Sequence, residues 1–182
     1  MKLTKIKTKI LHKNPWWQYK HDICVVPNGT YFNYYYGESK GNAMTIPITK
    51  DGKIIMIYQY RYLKNKNSLE FPCGWINNKE TPRQTAAREL EEETCYHSKD
   101  IKRIKTFEAV NGCFRNPCHL FIALDASRKI NCKPEVRGII KVLKCSPSQI
   151  EKMIETGKIW NGQTLAAWSL ARKEAEYTAN KE

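Results

Sequence analysis

The sequence predicts an α+β fold, with helices packed on a mixed sheet and a β-rich N-terminal extension. Three observations predict it. Segments rich in β-branched and aromatic residues, separated by Asn-Gly and Asp-Gly turns, fill the chain as far as Tyr62. Two later stretches, opening at Thr81-Pro82 and Ser146-Pro147, each carry a capping residue, a proline at the first helical position and a glutamine closing a capping box. The resulting order is strands, helix, strands, helices, the pattern of an α+β sandwich. With 182 residues, 41% of them hydrophobic, the chain can bury a core in one domain with a small appended element.

Taken in order, a strand is expected around Lys5 to Leu11, followed by Asn14-Pro15-Trp16-Trp17. From Asp22, DICVVPNGTYFNYYYGE reads as a hairpin turning at Pro27-Asn28-Gly29. A second hairpin is expected from AMTIPIT, a Lys50-Asp51-Gly52 turn and KIIMIYQYRY, with the apolar run Ile54 to Tyr58 as a central strand buried on both faces. Lys64 to Ser68 reads as a polar loop. The helix from Thr81 is followed by a strand near Ile104 to Ala109, a loop at Asn111 to Pro117 and the strand HLFIALDA. Residues 126 to 138 read as a polar loop holding Pro134, Glu135 and Gly138, before the strand IIKVLK. The helix capped by Ser146 presents Ile150, Met153 and Ile154 on one face and ends at Gly157. A last helix runs from about Gln163 to Tyr177, with Leu165, Trp168 and Ala171 inward.

Composition excludes some classes. No apolar run approaches the ~18 residues of a membrane span, and the basic N-terminus lacks the apolar stretch and cleavage site of a signal peptide. The seven cysteines are irregularly spaced with no C-x-x-C pair, and read as reduced thiols of a cytoplasmic protein. Cys113, Cys118 and His119 lack an obvious fourth zinc ligand and read as packing residues. A net charge of +13 points to anionic partners, but the lysines are scattered along the chain, so a solvated basic surface accounts for them better than nucleic-acid binding.

The chemistry concentrates in GWINNKETPRQTAARELEEETCY, Gly74 to Tyr96. On a helix, Glu89, Glu92 and Glu93 share a face while Glu91 turns elsewhere. Three like charges repel, and a hard divalent cation such as Mg²⁺, which takes carboxylate and phosphate oxygens, relieves the repulsion. The stretch resembles the Nudix box: Gly74, Glu80, Arg88, Glu89, Leu90, Glu92 and Glu93 occupy its defining positions, while Cys95 and Tyr96 replace its closing glycine and aliphatic residue. Outside the box, Gln59-Tyr60-Arg61, Glu70-Phe71-Pro72-Cys73-Gly74 and the ending from Gly157 to Trp168 resemble the ADP-ribose and nucleoside diphosphate sugar pyrophosphatase branch.

That resemblance implies a Nudix-like α/β/α sandwich at residues 41–182, preceded by a dimerising β-rich extension at 1–40. It implies Mg²⁺, or Mn²⁺ in its place, held by Glu89, Glu92, Glu93 and the backbone carbonyl of Cys73, with Arg88 ordering the glutamates. Arg61 is expected on the substrate's diphosphate, Glu70 on its base or ribose side, and Trp16 or Trp17 stacked on its base, with packing as the alternative for the tryptophans. Glu135 is the candidate general base. The expected reaction cleaves a nucleoside diphosphate sugar into a nucleoside monophosphate and a sugar phosphate. The loop Asn111 to Pro117 departs from the ADP-ribose pattern. A dinucleoside polyphosphate or capped RNA therefore remains as an alternative substrate, and a non-catalytic nucleotide-sugar sensor as an alternative class.

Overall fold

The computed structural model describes residues 2–134 and 138–179 of the chain; Glu135 lies outside them. Among the described residues the elements run β1 (Thr4–Lys13), β2 (Trp17–Val25), β3 (Tyr31–Ser39), β4 (Asn42–Pro47), β5 (Ile54–Arg61), a 3₁₀ turn (Tyr62–Lys64), β6 (Lys66–Glu70), β7 (Cys73–Trp75), α1 (Pro82–Thr94), β8 (Tyr96–His97), β9 (Asp100–Glu108), β10 (Phe114–Arg115), β11 (Pro117–Leu124), β12 (Ser127–Arg128), β13 (Ile139–Cys145), α2 (Pro147–Glu155) and α3 (Gly162–Ala179). They form two compact units, one comprising the chain up to Gly41 together with Glu108–Pro117, the other the remainder.

The first unit is a sheet in the order β1-β2-β3-β10. The hairpin expected at Pro27-Asn28-Gly29 is present: β2 and β3 pair from Trp17↔Ser39 to Val25↔Tyr31. Its turn closes through Val26 N–H to Thr30 O at 2.9 Å, with Gly29 at φ +84°. β10 adds in parallel to β3, placing Phe114 opposite Gly37. The Phe114 ring fills the space a side chain at Gly37 would need, since a Cβ there would lie 2.3 Å from it. β1 pairs antiparallel with β2 through two bulges and is exposed along its whole length.

The second unit layers helices on both sides of its strands. Its sheets are ordered β7-β4-β11-β9, mixed because β4 runs parallel to β11 and antiparallel to β7, and β13-β5-β6, which is antiparallel. Alternate residues of one strand serve different layers, as the period of two requires. Met44 and Ile46 of β4, Leu120 and Ile122 of β11, and Ile54 and Met56 of β5 pack with Phe71, Ile150, Ala167 and Trp168. Ala43, Phe121 and Ile55, on the opposite faces, pack with Ala86 and Leu90 of α1. The strands are therefore apolar on both sides, and each fully buried aliphatic side chain contributes about 1.5–3 kcal/mol.

The Lys50-Asp51-Gly52 turn forms, with Thr49 N–H to Lys53 O at 2.8 Å. The strands beside it do not make the expected hairpin. Only the bridge Ile48↔Ile54 joins them, and β4 takes β11 and β7 as partners instead. A strand buried on both faces finds more apolar contact between two sheet neighbours than at a hairpin edge. The expected polar loop at Lys64 to Ser68 is shorter than predicted: Asn65 turns in the left-handed region and β6 begins at Lys66.

Both helix-start signatures are realised. Thr81 Oγ accepts from Gln84 N–H at 3.3 Å while Gln84 Oε1 accepts from Thr81 N–H at 2.8 Å, and Ser146 and Gln149 repeat the exchange at 3.2 and 2.8 Å. α1 ends at Cys95, which takes the left-handed conformation (φ 60°, ψ 18°) in place of the box glycine. Here the reading of all cysteines as reduced thiols is corrected. Cys95 and Cys132 form a disulfide with Cα atoms 5.7 Å apart; Cys24, Cys73, Cys113, Cys118 and Cys145 are free. The physical reason is local. Lys129 N–H bonds to Cys95 O at 2.9 Å and β12 pairs with β8, so the segment carrying Cys132 is laid along the end of α1.

Candidate active site

The site is built on α1. Glu89, Glu92 and Glu93 lie three and four residues apart on its face, and Arg88 gathers most of the charge around it. Its Nη1 donates to Glu89 Oε1 at 2.7 Å and to Glu92 Oε2 at 2.8 Å, and its Nε and Nη2 donate to Glu80 Oε1 and Oε2 at 2.8 and 3.1 Å. Charge-assisted bonds of this kind are about twice as strong as neutral ones, and the planar guanidinium fixes where each carboxylate points. Glu80 is held to about 2, first by its bonds from Arg88, with Thr85 Oγ1 adding a further bond at 2.9 Å. Arg88 is itself pushed higher by the hydrogen bonds to Glu80 and the neighbouring charges of Glu89 and Glu92.

Glu93 is held from the other side of the loop. Its Oε2 accepts from Cys73 N–H at 2.9 Å, so Cys73 meets the site through its backbone amide. Desolvation pushes Glu93 up to about 8, and the adjacent Glu89 adds to the rise while the Cys73 N–H opposes it. Desolvation raises Glu89 as well, against the pull of Arg88. Gly74 explains why a glycine stands before the helix. A Cβ there would fall 1.9 Å from Glu89 Oε1, so the absent side chain is the seat of this carboxylate.

The resemblance to the Nudix box implies a divalent metal ion, and the residues here fit one. Among the described residues no three His, Cys, Asp or Glu side chains already converge in ligating geometry, because Arg88 draws Glu89 and Glu92 and the Cys73 amide holds Glu93. The donor set is nonetheless all hard oxygen, crowded and partly desolvated, with Glu93 pushed up to about 8, a condition that a divalent cation relieves.

Arg61, at the end of β5, and Glu70, at the end of β6, are expected on opposite parts of a substrate. The structure joins them: Arg61 Nε donates to Glu70 Oε1 at 2.7 Å and Nη2 to Oε2, a bidentate pair with Glu70 buried and Arg61 half-exposed. The hydrogen bond to Glu70 raises Arg61 above its ordinary value, which keeps a permanent cation there. Trp16 is 59% exposed in the first unit and its backbone N–H donates to Asn14 Oδ1 at 2.9 Å. Trp17 packs edge-on against Phe114 at 6.0 Å between centroids. Gly74 as the seat of Glu89, Thr85 on Glu80, the Arg61–Glu70 pair and the disulfide were not anticipated. Only the first had a legible signal, the fixed glycine of the box.

The described helices include none long and apolar enough to cross a membrane. The chain is similar to known proteins over most of its length. The methanol dehydrogenase activator of Bacillus methanolicus is 29% identical over 147 residues, 80% of each chain. The ADP-ribose pyrophosphatase of Bacillus subtilis (strain 168) is 29% identical over 144 residues, 78% of this chain and 77% of that one. A solved structure described as an ADP compounds hydrolase shares the fold at a TM-score of 0.82 and 18% identity, over 97% of this chain and 96% of that chain. The NUDIX domain family matches residues 39–167, spanning both the Arg61–Glu70 pair and the whole carboxylate helix, and the chain belongs to that family.

Proposed function

We propose that the chain hydrolyses the diphosphate of ADP-ribose or a related nucleoside diphosphate sugar, releasing a nucleoside monophosphate and a sugar phosphate. The observation that carries this reading is the carboxylate face Glu89, Glu92 and Glu93 set by Arg88 and the Cys73 amide, in a chain similar to an ADP-ribose pyrophosphatase over most of its length. Glu89, Glu92 and Glu93 would hold Mg²⁺ or Mn²⁺, and the Cys73 carbonyl is a further candidate ligand. When bound, the cation supplies charge neutralisation for the diphosphate and a more acidic water. Arg88 keeps the carboxylates in register. Arg61, oriented by Glu70, presents its outer edge to a phosphate oxygen, and Glu70 thereby acts through Arg61 as a positioning residue. Trp16, the more exposed tryptophan, is the better candidate to stack on a base. Glu135 remains the proposed general base. In the first unit Ile6, Ile10, Tyr19, Tyr31, Phe32 and Tyr35 are exposed, which supports a homodimer formed through this sheet. A cytoplasmic location stays part of the proposal, without the reduced-thiol argument that the Cys95–Cys132 bridge overturns.

A second reading, a module that binds a nucleotide sugar and acts without turnover, rests on the departure of the loop Asn111 to Pro117 from the ADP-ribose pattern. The presence of every box glutamate opposes it. A panel of ADP-ribose, nucleoside diphosphate sugars, a dinucleoside polyphosphate and capped RNA, assayed with Mg²⁺ beside Glu93→Gln, separates the two. Cleavage of one nucleoside diphosphate sugar to monophosphate and sugar phosphate, falling by about a hundredfold or more in the variant, is expected. Tight binding of one compound with no turnover of any would replace the enzyme by the sensor.

A further inference from the structure

The first unit contains a cavity of about 270 Å³ whose lining includes Asp22, Cys24, Tyr34, Tyr36, Phe114 and Arg115. Asp22 lies in the middle of β2 and is 7% exposed. Its Oδ2 accepts from the Tyr36 hydroxyl at 3.1 Å, while its Oδ1 is buried with no hydrogen-bond partner among the described residues. A buried carboxylate oxygen left unpaired is expensive, and natural proteins retain one where a ligand or ordered water completes it. Burial and the bond to Asp22 raise Tyr36, so its hydroxyl stays a donor.

The aromatic wall is suited to a cation. The Arg115 guanidinium carbon already lies 5.6 Å from the Tyr36 ring centroid, and Tyr34 and Tyr36 meet edge to face at 6.0 Å. Arg115 is paired with another carboxylate, its Nη1 donating to Glu38 Oε1 at 2.6 Å. Net charge works against a cationic ligand at long range, but it is screened beyond roughly 8–10 Å at ordinary ionic strength, so contacts inside the cavity decide. The volume is just below the ~300–1,000 Å³ usual for small-molecule sites, which selects a compact ligand.

We propose that this cavity binds a small molecule bearing a protonated amine, with an ammonium N–H donating to Asp22 Oδ1 and the aliphatic part lying against Tyr34, Tyr36 and Phe114. The proposal stands apart from the diphosphate reading and is tested by binding alone. A hydroxyl offers only a neutral donor at Oδ1, and a quaternary ammonium meets the rings without an N–H, so the three chemistries are separable.

Saturation-transfer NMR on the full chain at pH 7 would use n-butylamine, butan-1-ol and tetramethylammonium as probes. The expected result is saturable n-butylamine binding, about tenfold tighter than either other probe, and about tenfold weaker in a folded Asp22→Asn chain. Tyr36→Phe, which removes the hydroxyl that donates to Asp22 Oδ2, should keep or tighten the amine. Equal binding of amine and alcohol, or no binding of any probe, would leave water as the occupant and overturn the proposal. So would amine binding unmoved by Asp22→Asn or lost in Tyr36→Phe.

Discussion

Arg88 and Gly74 do complementary work on Glu89, one by donating to it and the other by having no side chain where it sits. Gly74→Ala therefore displaces a flexible carboxylate and not a backbone. The expected result is a metal-free thermal midpoint within a few degrees of wild type, with metal affinity and kcat/KM each reduced about tenfold or more. Calorimetric titration with Mg²⁺ beside the hydrolysis assay checks it, and a variant that binds metal normally would remove Gly74 from the site. Glu93 makes a second prediction. Its folded value of about 8 lies above the ordinary 4.5, so between those pH values the folded chain holds a proton that the unfolded chain releases. Stability of the metal-free protein should fall as pH rises through that window, by up to about 1.4 kcal/mol per pH unit, and level off above it. Glu80, held to about 2, loses its contribution only in acid and lies outside the window. Urea unfolding in EDTA at several pH values reads the slope, which should shrink in Glu93→Gln. Mg²⁺ binding near neutral pH should release a proton, seen as a buffer-dependent heat.

At the scale of the element, α1 was readable because its signals are local. Thr81, Pro82 and Gln84 are neighbours in sequence, and the carboxylate face follows from helical spacing alone. Its far end was not readable. Cys95 and Cys132 are 37 residues apart, and no spacing rule pairs them. The same distinction divides the strands. The β2–β3 hairpin turns on a short Asn-Gly link, whereas β4 chose β11, a partner lying across α1 and β9, because pairing there buries both its faces. The helix end also yields a test that reverses sign. The disulfide closes a loop worth about 3–4 kcal/mol, while the left-handed conformation costs a non-glycine residue about 1 kcal/mol. Cys95→Gly should thus be less stable than wild type by about 2 kcal/mol when oxidised, and more stable by about 1 kcal/mol in dithiothreitol. Denaturant midpoints with and without reductant measure both, and a variant of unchanged rank in the two conditions would show that the bridge contributes nothing.

For the whole molecule, the proposed homodimer is the testable quantity. Sedimentation velocity should give twice the 21.3 kDa chain mass. Ile10→Asp together with Tyr35→Asp, two exposed positions of the first unit's sheet, should shift the species to one chain mass. A wild-type monomer would remove the dimer from the proposal. The first unit carries one more consequence, because its fourth strand, β10, is supplied by residues 108–117 and not by the segment that precedes β4. A ribosome that has released only the first three strands has made an unfinished sheet, with Gly37 bare where the Phe114 ring belongs. Completion waits until β4 through β9 have followed. A gene fragment ending at Gly41 would encode that unfinished sheet, and one starting at Asn42 would carry an orphan strand. The N-terminal segment is therefore not a detachable cassette, and recombination that exchanges it must carry residues 108–117 with it.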